Sequence, residues 1–329
     1  MKIESTEKKP DRARFGRGQR TRRSFASVML AIGTVLATSM VNPSIAIGAP
    51  NACQQTAVDA LAGCRAAAQG DYQVALGKCA NLSDPAARKA CEKQAAADLA
   101  DAQQTCQGGF ASRTAACQKL GPAPYDPVID PANFSTVIDN PFFPLIPGTT
   151  FIYLTPDRVS KDVFAVTHDT RVIDGVTCVV VHDSVFTNDV LTEDTQDFFA
   201  QDKQGNVWYF GENTAEFEDG LIATIAGSFL AGTNNDKPGI IQEAHSAIGD
   251  FYRQEFSLQN AEDFAQVVGL NSTVVVPYGT FTNCLKTLET TPLEPDASEN
   301  KYYAAGVGNV LTVDLVTGER DELVQIITE

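Results

Sequence analysis

Six of the eight cysteines in this 329-residue chain are mirror images about one position. Cys53 and Cys117, Cys64 and Cys106, and Cys79 and Cys91 are each equidistant from Pro85. Two antiparallel helices joined near residue 85 produce this pattern, with cysteines facing each other at three heights. The steps along each arm are 11 and 15 residues. Both are close to whole numbers of helical turns, so each arm keeps its cysteines on one face. Ser83 and Asp84 are good N-caps, and Pro85 suits the first helical position. Alanine dominates both arms, which lets the helices approach closely but leaves little core, so a hairpin of this size needs staples. Of the pairings open to six cysteines, the mirror selects the nested one, 53–117, 64–106 and 79–91. Gly63, Gly70, Gly77, Gly108 and Gly109 are the weak points of the arms. The short Cys spacings of structural zinc sites and the C-x-x-C-H of haem attachment are absent.

Disulfides imply an oxidising compartment, and the N-terminus agrees. Thr21-Arg22-Arg23-Ser24-Phe25-Ala26-Ser27 reads as a twin-arginine export signal. An apolar stretch from Ala26 to Val41 follows, short for a membrane span, with small residues offering cleavage near Ala46 or Gly48. Pro50-Asn51-Ala52-Cys53 is a poor site for a lipid anchor, and no stable membrane span is expected once the signal is cleaved. Residues 1–23 hold nine Lys or Arg against three Asp or Glu, so the chain beyond them carries −22 of a total of −16. A surface this acidic disfavours nucleic acid and anionic membranes as partners.

The expected organisation is a signal peptide over 1–48, a Cys-rich helical hairpin over 49–120, a proline-rich linker over 121–133 and an antiparallel β domain over 134–329. The fold class is mainly β, a curved antiparallel sheet or partly open barrel, preceded by the stapled hairpin. Asp174-Gly175 is a two-residue hairpin turn. It sets His182 opposite Thr167 and His168 opposite Val181, on opposite faces, so the two histidines do not share a metal ion. A four-residue turn at Asp202-Lys203-Gln204-Gly205 sets Phe199 opposite Trp208, Asp197 opposite Phe210 and Thr195 opposite Glu212. Glu193, Asp197 and Glu212 then share a face with Trp208 and Phe210. An indole beside carboxylates suits a sugar, paired carboxylates suit acid–base work, and the same oxygens suit Ca2+. A half-buried strand with solvated charges is the plainer reading. Further hairpins are expected through Pro277-Tyr278-Gly279-Thr280 and Thr317-Gly318-Glu319-Arg320. Cys178 and Cys284 lie in apolar strands and are expected to pair with each other, two buried free thiols being the alternative. The least regular segment, 226–263, reads as a long loop over the sheet. It carries Tyr252, Arg253, Glu255, Glu262 and Asp263, either as a functional constellation or as an internal ion pair of Arg253 pinning the loop.

Five runs carry a resemblance: Tyr125-Asp126-Pro127-x-Ile129-Asp130-Pro131, Asn140-Pro141-Phe142-Phe143-Pro144-Leu145-x-Pro147-Gly148, Gly205-Asn206-Val207-Trp208-Tyr209, Tyr252-Arg253-Gln254-Glu255 and Lys301-Tyr302-Tyr303-x-x-Gly306-Val307-Gly308. As a set they resemble a group of exported bacterial β proteins with no assigned activity, over residues 125–329. The last run is also similar in style to the closing strand of periplasmic lipoprotein-carrier domains. The hairpin resembles the stapled hairpins of the coiled coil–helix–coiled coil–helix family in geometry alone. The resemblance implies export and a β fold but assigns no catalytic residue.

No nucleophile elbow, zinc-protease helix, P-loop or dinucleotide fingerprint occurs. The leading expectation is therefore a non-catalytic exported binding or structural protein, periplasmic or extracellular. Its β domain would offer the surface for a small molecule, a glycan or an envelope component, with no identified cofactor. The alternatives are a carboxylate-based glycan hydrolase and a Ca2+-dependent adhesion or assembly module.

Overall fold

The computed structural model describes residues 51–329, and the expected export signal lies outside them. Helix α1 spans Ala52–Ala80 and α2 spans Pro85–Leu120. Asn51 caps α1 by accepting from the Gln54 amide (2.9 Å), and Asp84 caps α2 by accepting from the Ala86 and Ala87 amides. The helices run antiparallel, with Ala57, Ala60, Ala68, Ala95 and Ala116 buried between or beneath them. All three nested disulfides are present, with Cα–Cα distances of 5.7, 5.7 and 5.6 Å from the outer to the inner pair. Both helices are continuous through their glycines. Gly108 and Gly109 have a different use, because a Cβ there would meet the Pro295 ring at 2.6 Å and the Pro292 carbonyl at 2.5 Å. They let α2 lie directly on the loop that follows Thr290. Among the described residues no helix is long and apolar enough to cross a membrane.

The remainder is a 16-stranded antiparallel sheet that curls into a nearly closed barrel. The strands are β1 (Phe134–Ser135), β2 (Thr149–Leu154), β3 (Ser160–Ile173), β4 (Val176–Thr187), β5 (Val190–Asp202) and β6 (Val207–Glu218). Next come β7 (Leu221–Thr224), β8 (Phe229–Leu230), β9 (Lys237–Gln242), β10 (Phe251–Arg253) and β11 (Glu255–Phe256). Then come β12 (Phe264–Val276), β13 (Gly279–Thr290), β14 (Ser298–Ala304), β15 (Gly308–Asp314) and β16 (Arg320–Thr328). Around the barrel the order is β10-β12-β13-β14-β15-β16-β2-β3-β4-β5-β6-β9-β11, with β1 on β5 and both β7 and β8 on β6.

The two ends of that order are adjacent in the chain. β10 pairs with β12 at one edge, β11 pairs with β9 at the other, and Gln254 alone joins them. Segment 226–263 is thus the seam of the barrel, four short strands in place of the expected loop. Gly239 on β9 faces the Gln254 carbonyl so closely that any Cβ there would collide with this backbone. The Gln254 amide donates to the Asp263 carbonyl at 2.8 Å, and Tyr125 of the linker donates to the Pro238 carbonyl at 2.8 Å.

The stapled hairpin clasps this seam. Arg113 of α2 and Glu262 are both buried, at 6% and 1% exposure. The guanidinium is bidentate, Nε to Oε2 at 3.0 Å and Nη2 to Oε1 at 2.5 Å. The Gln259 amide also donates to Glu262 Oε1 (2.7 Å), and the Gln259 side chain reaches the Ala60 carbonyl of α1 (3.0 Å). The ion pair that pins this segment therefore comes from the hairpin and not from Arg253, whose guanidinium lies over the rings of Tyr125, Phe256 and Phe264.

Three register expectations are corrected. The Asp174-Gly175 turn forms with both residues at positive φ, but a bulge after Val166 sets His182 opposite Ala165. The loop after β5 closes on three residues, with the Asp202 backbone amide donating to the Asn206 carbonyl (2.9 Å), so Phe199 faces Tyr209 and Ala200 faces Trp208. A second bulge at Gly211, φ 133°, then sets Asp197 opposite Glu212.

Cys178 and Cys284 are buried free thiols, not a disulfide. Strands β14, β15, β16, β2 and β3 separate β4 from β13. Cys178 belongs to the apolar cluster that residues 129–134 cover, and Cys284 belongs to the core inside the barrel. Burial pushes the Cys178 thiol up to about 12 and raises Cys284 as well.

Arg113→Met should lower stability by about 3–5 kcal/mol, because it leaves Glu262 as an unpaired buried charge. Adding Glu262→Gln should recover part of the loss. Chemical denaturation of the oxidised protein and of both variants measures this.

Candidate functional site

Inside the barrel is a cavity of about 280 Å³. Side chains alternate across each strand, so one row per strand points inward. Several of these rows change character along their length. On β3 the row runs Val166, Phe164, Asp162; on β4 it runs Val179, Val181, Asp183; on β5 it runs Phe199, Asp197, Thr195, Glu193. The bulge at Gly211 keeps Glu212 on the same side as Tyr209. One side of the cavity is therefore a wall of rings and the other is acidic.

The ring wall is contiguous. Phe199 stacks on Tyr209 with centroids 4.9 Å apart, and Phe143 lies 5.4 Å from Phe199 and 6.4 Å from Tyr303. Phe143 comes from the Asn-Pro-Phe-Phe-Pro turn. Asn140 holds that turn by donating to the Gly205 and Glu243 carbonyls and accepting from the Phe142 amide. The Gly306 amide donates to the Pro141 carbonyl at 2.7 Å, so the Tyr-Tyr-x-x-Gly-Val-Gly run meets this turn at the cavity wall. Gln254 of the seam lines the cavity too.

Nine carboxyl side chains line the cavity, against one ammonium, Lys301. Lys301 is already engaged, 3.0 Å from Glu289 and 3.1 Å from Glu299. Burial disfavours its charge, but these two carboxylates outweigh burial and raise it above the usual lysine range. Tyr303 and Thr287 also donate to Glu289. The Tyr209 hydroxyl lies 2.5 Å from Asp197 Oδ1 and 3.1 Å from Glu212 Oε2. Thr195 donates to Glu193. Asp162 Oδ1, Asp183 Oδ1 and Gln254 Nε2 are buried without any hydrogen-bond partner. Buried polar groups are normally paired, so each orphan calls for an explanation.

Such crowding makes charge expensive. Burial, then the neighbouring Asp197, pushes Glu212 up to about 8. Burial also lifts Asp162 to about 7, against a bond with Asp183 that favours its ionised form. Asp183, Asp197 and Glu255 lie well above the carboxylate range through burial and through the charges of Asp162, Asp183 and Asp263 respectively. Burial raises Asp321 to about 7 and Asp263 to about 6.

Of the residues singled out in the sequence, Glu193, Asp197, Glu212, Glu255 and Asp263 line the cavity together. Trp208 and Phe210 do not. They point outward, packed with Phe134, and the Trp208 indole donates to Asp202 at 2.8 Å. Tyr252 packs with Ala265 and Val267 on the same face of the sheet as Glu289 but is not part of the cavity lining, Arg253 sits among its three rings on the opposite face, and Glu262 is held by Arg113. Asp162, Asp183, Glu289, Lys301 and Asp321 complete the lining and went unread in the sequence. The available signal was an acid in the inward register of an apolar strand, as in Val179-x-Val181-x-Asp183-x-Val185. Among the described residues no group of three or more His, Cys, Asp or Glu is arranged to hold a metal ion.

No family model matches the chain, and no curated protein does. The chain is similar to a solved structure from Parabacteroides distasonis, of a protein provisionally named a lipoprotein. The identity is 12%, the match covers 56% of this chain and 98% of that one, and the TM-score is 0.32. That likeness is too slight to transfer a ligand or an activity. The three disulfides fit an exported protein, independently of it.

These acids give stability a definite pH dependence. The folded state keeps protons that the unfolded chain releases above about pH 4. The resulting stability is full below that value and is lost as pH rises through the folded-state values, from about 6 at Asp263 to about 8 at Glu212. The melting temperature of the ligand-free protein should therefore fall from pH 5 to pH 8.5, by about 2–4 °C per kcal/mol lost. Calorimetry across that range checks it; a flat or rising profile contradicts it.

Proposed function

We propose that this is an exported, periplasmic or secreted binding protein whose barrel interior holds a small ligand. The stapled hairpin of residues 52–120 clasps the seam, and residues 134–329 form the binding unit. The observation that supports this most is the cavity itself. It is amphipathic, its buried acids Asp162 and Asp183 have only each other as side-chain partners, and the Gln254 Nε2 donor has none. Ligand pockets typically combine an apolar lining with a few convergent polar groups. A ligand that supplies the missing partners removes the cost of leaving them unmade.

A second reading, a carboxylate-based glycan hydrolase, is favoured by one contact. The Tyr209 hydroxyl bridges Asp197 and Glu212, and burial raises both acids, Glu212 to about 8, which suits proton transfer near neutral pH. It lacks the stacking indole expected beside them, since Trp208 faces away. The Ca2+ reading keeps the acidity, but among the described residues no three acids converge as a ligand set.

A thermal-shift screen of the oxidised protein against cationic, neutral and anionic small molecules, free sugars and Ca2+ tests the binding reading. A true ligand should bind one saturable site and stabilise by about 2.7 kcal/mol at a hundredfold excess over its Kd. Absence of any saturable ligand, together with turnover of a glycan that Glu212→Gln abolishes, would replace binding with hydrolysis.

A further inference from the structure

Building on the binding reading, we infer that the cavity selects an organic cation: a protonated amine on a compact apolar or aromatic body. Three observations converge on this class. The first is the charge balance of the lining. An anionic ligand would enter among nine carboxyl groups with one ammonium to meet it, and Glu289 and Glu299 already bracket that ammonium. Guanidinium groups are placed elsewhere. Arg113 is committed to Glu262, and Arg253 lies over Tyr125, Phe256 and Phe264.

The second observation is the unpartnered atoms. Asp162 is 8% exposed, and its Oδ1 accepts no hydrogen bond; Asp183 Oδ1, across the β3–β4 pair, is also unmatched. The two carboxyls lie side by side in the cavity lining and can share one proton between them, which leaves the pair short of donors. An ammonium carries up to three donors and no acceptor, which suits a donor-poor pair of acids. Its charge also offsets the mutual repulsion of Asp162, Asp183 and Asp197. Gln254 Nε2, in a residue 3% exposed, is the single orphan donor in the lining. It suits an acceptor on the same ligand, such as a hydroxyl or carbonyl.

The third is the ring wall. Phe143, Phe199, Tyr209 and Tyr303 present contiguous aromatic surface beside the acids. Aromatic faces attract cations and pack against apolar bodies. A cationic head among carboxyls and an apolar body on rings uses both halves of the cavity; a sugar or an inorganic cation leaves one half unused.

The test is isothermal titration of the oxidised full chain at pH 7.5 with matched probes: phenethylamine and benzyltrimethylammonium as cations, 2-phenylethanol as the neutral match, 3-phenylpropanoate as the anion, and glucose. Phenethylamine should bind at least tenfold tighter than 2-phenylethanol, with no measurable binding of 3-phenylpropanoate. Asp162→Asn and Glu212→Gln, made separately, should each weaken the cation at least tenfold and leave the neutral probe within twofold. Both replace an acid that the fold prefers uncharged with a neutral isostere, so both should fold; their melting temperatures verify that. Equal or tighter binding of the neutral probe, the anion or glucose overturns the cation assignment while leaving the binding reading intact. Binding by no probe overturns the assignment as well, and the broader screen then decides separately whether the cavity binds anything.

Discussion

A barrel must join its first edge to its last, and this chain does so with its own backbone at one residue. β10 belongs to one edge and β11 to the other, with Gln254 between them. The strands flanking this point are three and two residues long, too short to hold closure by ladder hydrogen bonds alone. Closure therefore depends on what presses on the seam: the absent side chain of Gly239, the Tyr125 hydroxyl, and above all the buried Arg113–Glu262 pair. A buried ion pair adds little net stability over an apolar pair, yet it penalises any arrangement that separates its members. It is suited to fixing where the seam sits, and with it the placement of Gln254, Glu255 and Asp263 in the cavity.

The disulfides belong to the same argument. Arg113 holds Glu262 only if α2 is rigid, and an alanine-rich hairpin has too small a core to be rigid unaided. Cys53–Cys117 and Cys64–Cys106 bracket Arg113 in sequence and tie that stretch of α2 to α1, which supplies the Ala60 carbonyl to Gln259. The sulfur ladder between the two helices thus bears on the interior of the barrel through one guanidinium.

What could be read from the residues divides along physical lines. The nested disulfides were legible because helical spacing is periodic and the mirror admits one pairing. The curved antiparallel sheet followed from alternation and turn residues. The face of Trp208 was not legible, because one residue of loop length and one bulge at Gly211 each move a side chain to the other side of the sheet. Glu212 reached the expected side because the two displacements cancel for it, whereas Trp208 lies before the bulge and takes only the first. The partner of Glu262 was hidden for another reason. Arg113 lies 149 residues away, and no local pattern encodes a contact of that range.

The acids themselves sharpen the question of what the interior is for. Burying one carboxyl without a donor is costly, and a fold selected for stability alone would replace Asp162 and Asp183 with apolar side chains of similar size. Their inward rows supply the comparison directly: Val166 and Phe164 precede Asp162, and Val179 and Val181 precede Asp183. The same strands that bury apolar groups well at one end of the row switch to acids where the cavity opens between them. That switch occurs side by side on two adjacent strands at the positions that line the cavity, which marks it as a property of the cavity and not of the surrounding sheet.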